Sequence, residues 1–209
     1  MYAYAANNPV RYIDSDGREV VPEYDIRDPT EEQLKKFYNA RSSAKNNLDS
    51  LLSALKSPSF KKESAKIKES AKNWLGLDLS KEENITLLKG KIENIIKGID
   101  EIKGLKMDYG EKHKGDMGYV KGEYDKIIYG SGEYDLLGDS GNDTFQGFIV
   151  HEISHRYANT VDVELENNKK AYGLKESYKL SEDKKILNGD NWEYFYEYLY
   201  TGGTPRWDE

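Results

Sequence analysis

The chain has 209 residues, 37% hydrophobic and 33% charged, with a net charge of −7 at pH 7. That is enough apolar material for one sizeable domain with a short appendage, and the acidic balance argues against a nucleic-acid partner, whose readers carry a basic face. No cysteine is present, which excludes disulfides, cysteine zinc sites and thiol nucleophiles. No apolar run approaches transmembrane length and no signal-peptide core stands near the start, so no membrane partner is expected and export would need another carrier.

The first stretch, Tyr2-Ala3-Tyr4-Ala5-Ala6-Asn7-Asn8-Pro9 and then Asp14-Ser15-Asp16-Gly17, is rich in turn chemistry and reads as strand-turn-strand. It resembles the last conserved segment of RHS/YD-repeat proteins, Tyr-x-Tyr-x-x-Asn-Asn-Pro-x-x-x-x-Asp-Pro-x-Gly, with Ser15 in place of the proline. The resemblance implies that residues 1–21 are the remnant of an RHS core boundary and that the rest is the toxin of a polymorphic toxin system. Such a toxin is secreted or delivered into a target cell by an RHS-type carrier and is matched by a cognate immunity protein. Residues 22–29 read as a polar linker, and 30–209 as one domain, helical over 30–104 and strand-bearing over 105–209.

Thr30-Glu31-Glu32-Gln33 has the pattern of a helix N-terminus with acids in its first turn. Leu34, Phe37, Leu48, Leu51, Leu52 and Leu55 follow at three- and four-residue steps and predict an amphipathic helix ending near Ser57-Pro58. A second helix is predicted from about Lys61 through Trp74-Leu75-Gly76. A third follows Ser80-Lys81-Glu82-Glu83 and carries Ile85, Leu87, Leu88, Ile92, Ile95, Ile96, Ile99 and Ile102. Tyr119-Val120 and Lys126-Ile127-Ile128-Tyr129 predict short strands, with loops at Gly130-Ser131-Gly132 and Gly138–Asp143. Helices are expected again near Lys169–Leu180 and Asn191–Tyr200.

Between these lies His151-Glu152-Ile153-Ser154-His155, preceded by Phe148-Ile149-Val150. On a helix, residues four apart share a face, so both imidazoles project toward one point and can hold a single Zn²⁺. Glu152, the next residue after the first histidine, is placed to act as a general base. A catalytic zinc centre needs a third protein ligand. Spacing leaves Asp162, Glu164, Glu166 and Glu176 open.

Several patterns line up in order with the deuterolysin and peptidyl-Lys metallopeptidases, the aspzincins. Trp74-Leu75-Gly76 is similar to their Trp-Phe-Gly, and Gly141-Asn142-Asp143-Thr144 to their Gly-x-Asp-Ser. Thr160-Val161-Asp162 matches their Thr-x-Asp, Ala171-Tyr172-Gly173 their Tyr-Gly, and Asn188-Gly189-Asp190-Asn191 their Asn-Ala-Asp-Asn. The resemblance spans about residues 30 to 200. It implies a mainly helical α+β, zincin-like fold with a small sheet beside the HExxH helix. It also implies a zinc endopeptidase with Asp162 as third ligand and Tyr172 donating to the oxyanion. In this chain Val163 to Lys170 are inserted between Asp162 and Ala171.

Asp190 and Glu193 stand three apart on a predicted helix and so share a face. Two carboxylates in a pocket wall suit a substrate ammonium, and the resemblance implies an acidic pair there in lysine-specific members. Protein or peptide cleaved before lysine is therefore the expected substrate, with Ile127 to Tyr129 as the edge strand that pairs with it. The rival readings are a nuclease toxin, against which the acidic charge weighs, and a non-catalytic module with a structural zinc.

Overall fold

The computed structural model describes residues 12–13, 21–22, 24–60, 64–113, 117–120, 127–131, 133–166 and 168–207. Most of the segment that resembles an RHS boundary lies outside the described residues. What is described of it is a two-residue strand, β1 (Tyr12–Ile13), paired antiparallel with β2 (Val21–Pro22). The chain divides into two units, one of residues 1–35 with 103–136 and the other of 36–102 with 137–209.

The first unit holds a mixed four-stranded sheet in the order β3 (Ile26–Arg27), β4 (Gly104–Asp108), β6 (Ile127–Gly130), β5 (Gly118–Val120). β4 and β6 run parallel, and the outer pairs are antiparallel. The stretch expected to be a linker therefore contributes a strand, with Ile26 opposite Asp108. Asp108 is buried and gathers the sheet end, accepting from the backbone N–H groups of Asp25 and Gly110 at 2.9 Å and from the Tyr119 hydroxyl at 2.7 Å. The expected edge strand is a correction. β6 is interior, with Tyr129 opposite both Lys106 and Tyr119, so its backbone faces partners on two sides. Its ring stacks on Tyr119 at 5.0 Å.

Helix α1 (Glu31–Lys56) opens on a reciprocal capping box: Thr30 Oγ1 accepts from the Gln33 N–H at 3.2 Å, and Gln33 Oε1 accepts from the Thr30 N–H at 3.0 Å. Residues 36–56 of α1 belong to the second unit. They are joined there by α2 (Ala65–Leu75), α3 (Glu82–Glu101), α4 (Phe145–Tyr157), α5 (Gly173–Lys179), α6 (Glu182–Lys185) and α7 (Gly189–Tyr200). Most of the apolar residues read from the sequence are buried, among them Leu48, Leu51 and Leu55 of α1, Trp74 and Leu75 of α2, and Leu88, Ile92, Ile95 and Ile99 of α3, whereas Leu87 is exposed and Leu34 and Leu52 are half-buried. α4 packs between α3 and α7. Its approach to α7 is close enough that a Cβ on Gly147 would lie 2.3 Å from Glu197 Oε1. Among the described residues, no helix is long and apolar enough to cross a membrane.

Candidate metal centre

The HExxH segment lies in the C-terminal half of α4, whose N-terminus is fixed by two devices. Thr144 Oγ1 caps it by accepting from the Gly147 N–H at 3.0 Å. The buried Glu197 carboxylate of α7 accepts from the backbone of Thr144 at 2.7 Å, its hydroxyl at 2.9 Å and the Asp143 N–H at 3.2 Å. Burial, and then repulsion from Glu193, push the Glu197 carboxyl up to about 9.

His151 and His155 project together, with ring centroids 4.8 Å apart and planes at 81°. The chain then turns at Asn159, which takes a left-handed conformation (φ 54°). Just beyond, Asp162 presents Oδ1 to both rings, 3.6 Å from His151 Nε2 and 3.3 Å from His155 Nε2. The other three candidates are placed elsewhere: Glu164 pairs with Lys170 at 2.7 Å, and Glu166 and Glu176 belong to neither metal-capable cluster among the described residues.

The Val163 to Lys170 insertion folds as a hairpin. Glu164 bridges Lys170 antiparallel, the Leu165 N–H donates to Lys169 at 2.8 Å, and the Ala171 N–H donates to Val163 at 2.8 Å. Val163, Ala171 and Leu180 close over its base as a small apolar cluster. The chain thus returns to where it left, and the Tyr172 hydroxyl donates to Asp162 Oδ2 at 3.0 Å. The Tyr172 ring is 53% exposed.

Asp190 and Glu193 do not form an open wall. Both are buried near the start of α7, with Asp190 Oδ1 3.1 Å and Glu193 Oε2 3.2 Å from His151 Nδ1. The other Asp190 oxygen accepts from the Gly173 N–H at 2.6 Å. An Nδ1–H shared between two carboxylates fixes the ring with its Nε2 facing Asp162, the arrangement expected of outer partners to a metal ligand. The sequence put the pair on one helix face, and the direction of that face emerges only from the packing of α7 on α4.

Electrostatics follow from this crowding. Burial pulls the His151 imidazole down, but Asp162, Asp190 and Glu193 outweigh it and hold its pKa well above the ordinary value. Burial alone would raise Asp162, yet the two imidazoles hold it far below the usual carboxylate range. Glu193 is raised by burial and by repulsion from Asp190 and Asp143, against the opposing pull of His151.

The residues present fit a divalent cation. Asp162 Oδ1 is buried without a hydrogen-bond partner, an expensive condition for a carboxylate unless a cation meets it. At Gly189, a Cβ would stand 2.9 Å from His151 Nε2 and 3.0 Å from His155 Nε2. The Gly189 backbone thus lies close against both imidazole nitrogens. Two imidazole nitrogens and one carboxylate oxygen make a donor set suited to zinc with one position left open.

No protein-family model matches the sequence, and among curated proteins none matches it. The coordinates do match a solved structure described as a zinc peptidase from Grifola frondosa, with a TM-score of 0.63 and 22% identity over 82% of this chain and 98% of that one. The chain therefore has the mainly helical α+β fold seen in that zinc peptidase, with a small mixed sheet and a His/His/Asp cluster able to chelate a divalent metal.

Proposed function

We propose that the chain is a zinc-dependent endopeptidase of the aspzincin type, serving as the toxin domain of an RHS-type protein. The observation that carries the enzymatic reading is the convergence of His151 and His155 on Asp162 Oδ1, a buried acceptor with no hydrogen-bond partner. Likeness in fold to a protein named as a zinc peptidase supports the same class.

Zinc held by His151, His155 and Asp162 supplies Lewis acidity toward the attacking water and the scissile carbonyl. The remaining work falls to the chain's own groups. Glu152, buried on α4 beside His151, accepts a proton from the attacking water on its carboxylate and returns it to the leaving nitrogen. Tyr172 turns its hydroxyl from Asp162 toward the oxyanion as charge develops there. Asp190 and Glu193 keep the His151 Nδ1 proton in place.

Preference for lysine just after the scissile bond rests here on charge rather than on an open carboxylate wall. Asp190 raises the proton affinity of Asp143, and both raise that of Glu193; such a concentration of acid favours a cationic side chain nearby. The toxin role, the carrier and a cognate immunity partner rest on the likeness of residues 2–17 to an RHS boundary.

The test is zinc content together with cleavage of a mixed peptide library by the wild type and Glu152→Gln. About one zinc per chain is expected in both proteins, since Glu152 is not a ligand. Cuts before lysine should appear in the wild type alone. A wild type that binds no zinc would sink the reading, and one that binds zinc but cuts nothing would reduce the centre to a structural role.

A further inference from the structure

We propose that Thr160 and Ser154 are positioning residues that fix which nitrogen of His155 carries the proton, through a one-way chain of hydroxyls. The proposal rests on reading His155 as a metal ligand, and concerns residues that the metal itself does not touch.

The direction of the chain follows from counting protons. Ser154 Oγ donates to the His151 carbonyl at 2.7 Å, which uses the only proton it has. Ser154 Oγ and Thr160 Oγ1 are also 2.7 Å apart, so that bond must be donated by Thr160. With its own proton committed, Thr160 Oγ1 can only accept from His155 Nδ1, 3.1 Å away. Nδ1 therefore bears a hydrogen, and Nε2 faces Asp162 Oδ1 at 3.3 Å. Reversing the chain would set the Ser154 oxygen lone pairs against the His151 carbonyl at 2.7 Å and leave that contact repulsive. Both hydroxyl residues are buried, which keeps water from relieving the constraint.

The backbone brings the three groups together. The Asn159 turn carries Thr160 back over the last turn of α4, where the Thr160 N–H donates to the Ser154 carbonyl at 3.2 Å. The two ligand histidines thus reach the same tautomer by different means, His151 through two carboxylates and His155 through two neutral hydroxyls.

The experiment is NMR of ¹⁵N-histidine-labelled protein, metal-free and zinc-loaded, paired with zinc affinity from chelator competition. In the zinc-loaded wild type, His155 should carry its proton on Nδ1, with the Nδ1–H signal protected from solvent exchange. Thr160→Val should lose that protection and bind zinc ~10–100-fold more weakly, the cost typical of removing an outer partner. Thr160→Ser should restore both properties. Ser154→Ala frees the Thr160 proton to turn onto Nδ1, so it should shift the metal-free ring toward the Nε2–H form and weaken zinc; this variant carries the test if Thr160→Val does not fold. An unprotonated Nδ1 in the wild type, or wild-type zinc affinity in both Thr160→Val and Ser154→Ala, would overturn the proposal. Zinc binding and tautomer as expected without peptide hydrolysis would defeat the peptidase reading and leave this one standing. Hydrolysis with unchanged affinity in both variants would do the reverse.

Discussion

Asp162 sits at the meeting point of the centre's polar contacts: one oxygen faces two imidazole nitrogens, and the other accepts from Tyr172. Tyr172 therefore has two separable tasks, steadying Asp162 and donating to the oxyanion. Phenylalanine at 172 should leave zinc content near the wild-type level, because the ring is largely exposed and no ligand is lost. Turnover should fall ~100-fold or more, the range seen when one oxyanion donor is removed. Metal analysis alongside steady-state kinetics would check this, and a matching loss of zinc would instead assign Tyr172 to Asp162 alone. At this scale the convergence of the two histidines was legible, because a four-residue spacing fixes a common helix face whatever the packing. The hydroxyl chain was not. Ser154 and Thr160 are six apart in sequence, and they meet only because Asn159 takes a left-handed turn.

Between elements, the contact of α4 with α7 carries an electrostatic load. Glu197 is fully buried and accepts three hydrogen bonds from the start of α4, yet its carboxyl is pushed up to about 9 from an ordinary 4.5. The folded chain thus keeps this proton over a range of pH in which the unfolded chain has lost it. Stability contributed by Glu197 is complete below the unfolded value and is lost as pH rises through the folded one. Urea unfolding of the wild type should therefore show a loss of at least ~1.4 kcal/mol between about pH 6 and about pH 9, the worth of a tenfold change in proton affinity. Glu197→Gln, which cannot ionise, should flatten that slope; an equal slope in both proteins would place the titration elsewhere. The long helices were readable because their apolar period runs over many turns. β3 and β4 were not, since two and five residues carry too little pattern, and the interior place of β6 depends on partners distant in sequence.

Over the molecule as a whole, folding brings acids together with few cations to answer them. Asp162, Asp190 and Glu193 crowd the His151 imidazole, and Asp162 keeps a buried oxygen without a hydrogen-bond partner. A bound divalent ion adds positive charge where it is lacking, so metal should count directly toward stability. Chelation is expected to lower the thermal midpoint and zinc to restore it, with ~4 kcal/mol in play when free zinc exceeds its dissociation constant about a thousandfold. Calorimetry with and without chelator reads this out, and unchanged midpoints would mean the centre does not hold metal in the folded chain. The likeness in overall fold to a zinc peptidase was anticipated from short motifs in a shared order, each weak alone.

The hairpin over residues 164–170 leaves the chain at Val163 and rejoins it at Ala171, whose backbones are bonded to each other. Because exit and re-entry share one rung, the reach from Asp162 to Tyr172 is set at the base of the hairpin, where Leu165 packs against Val163, Ala171 and Leu180. Substitutions beyond that base should therefore alter the surface of the chain while leaving the spacing between Asp162 and Tyr172 as it is.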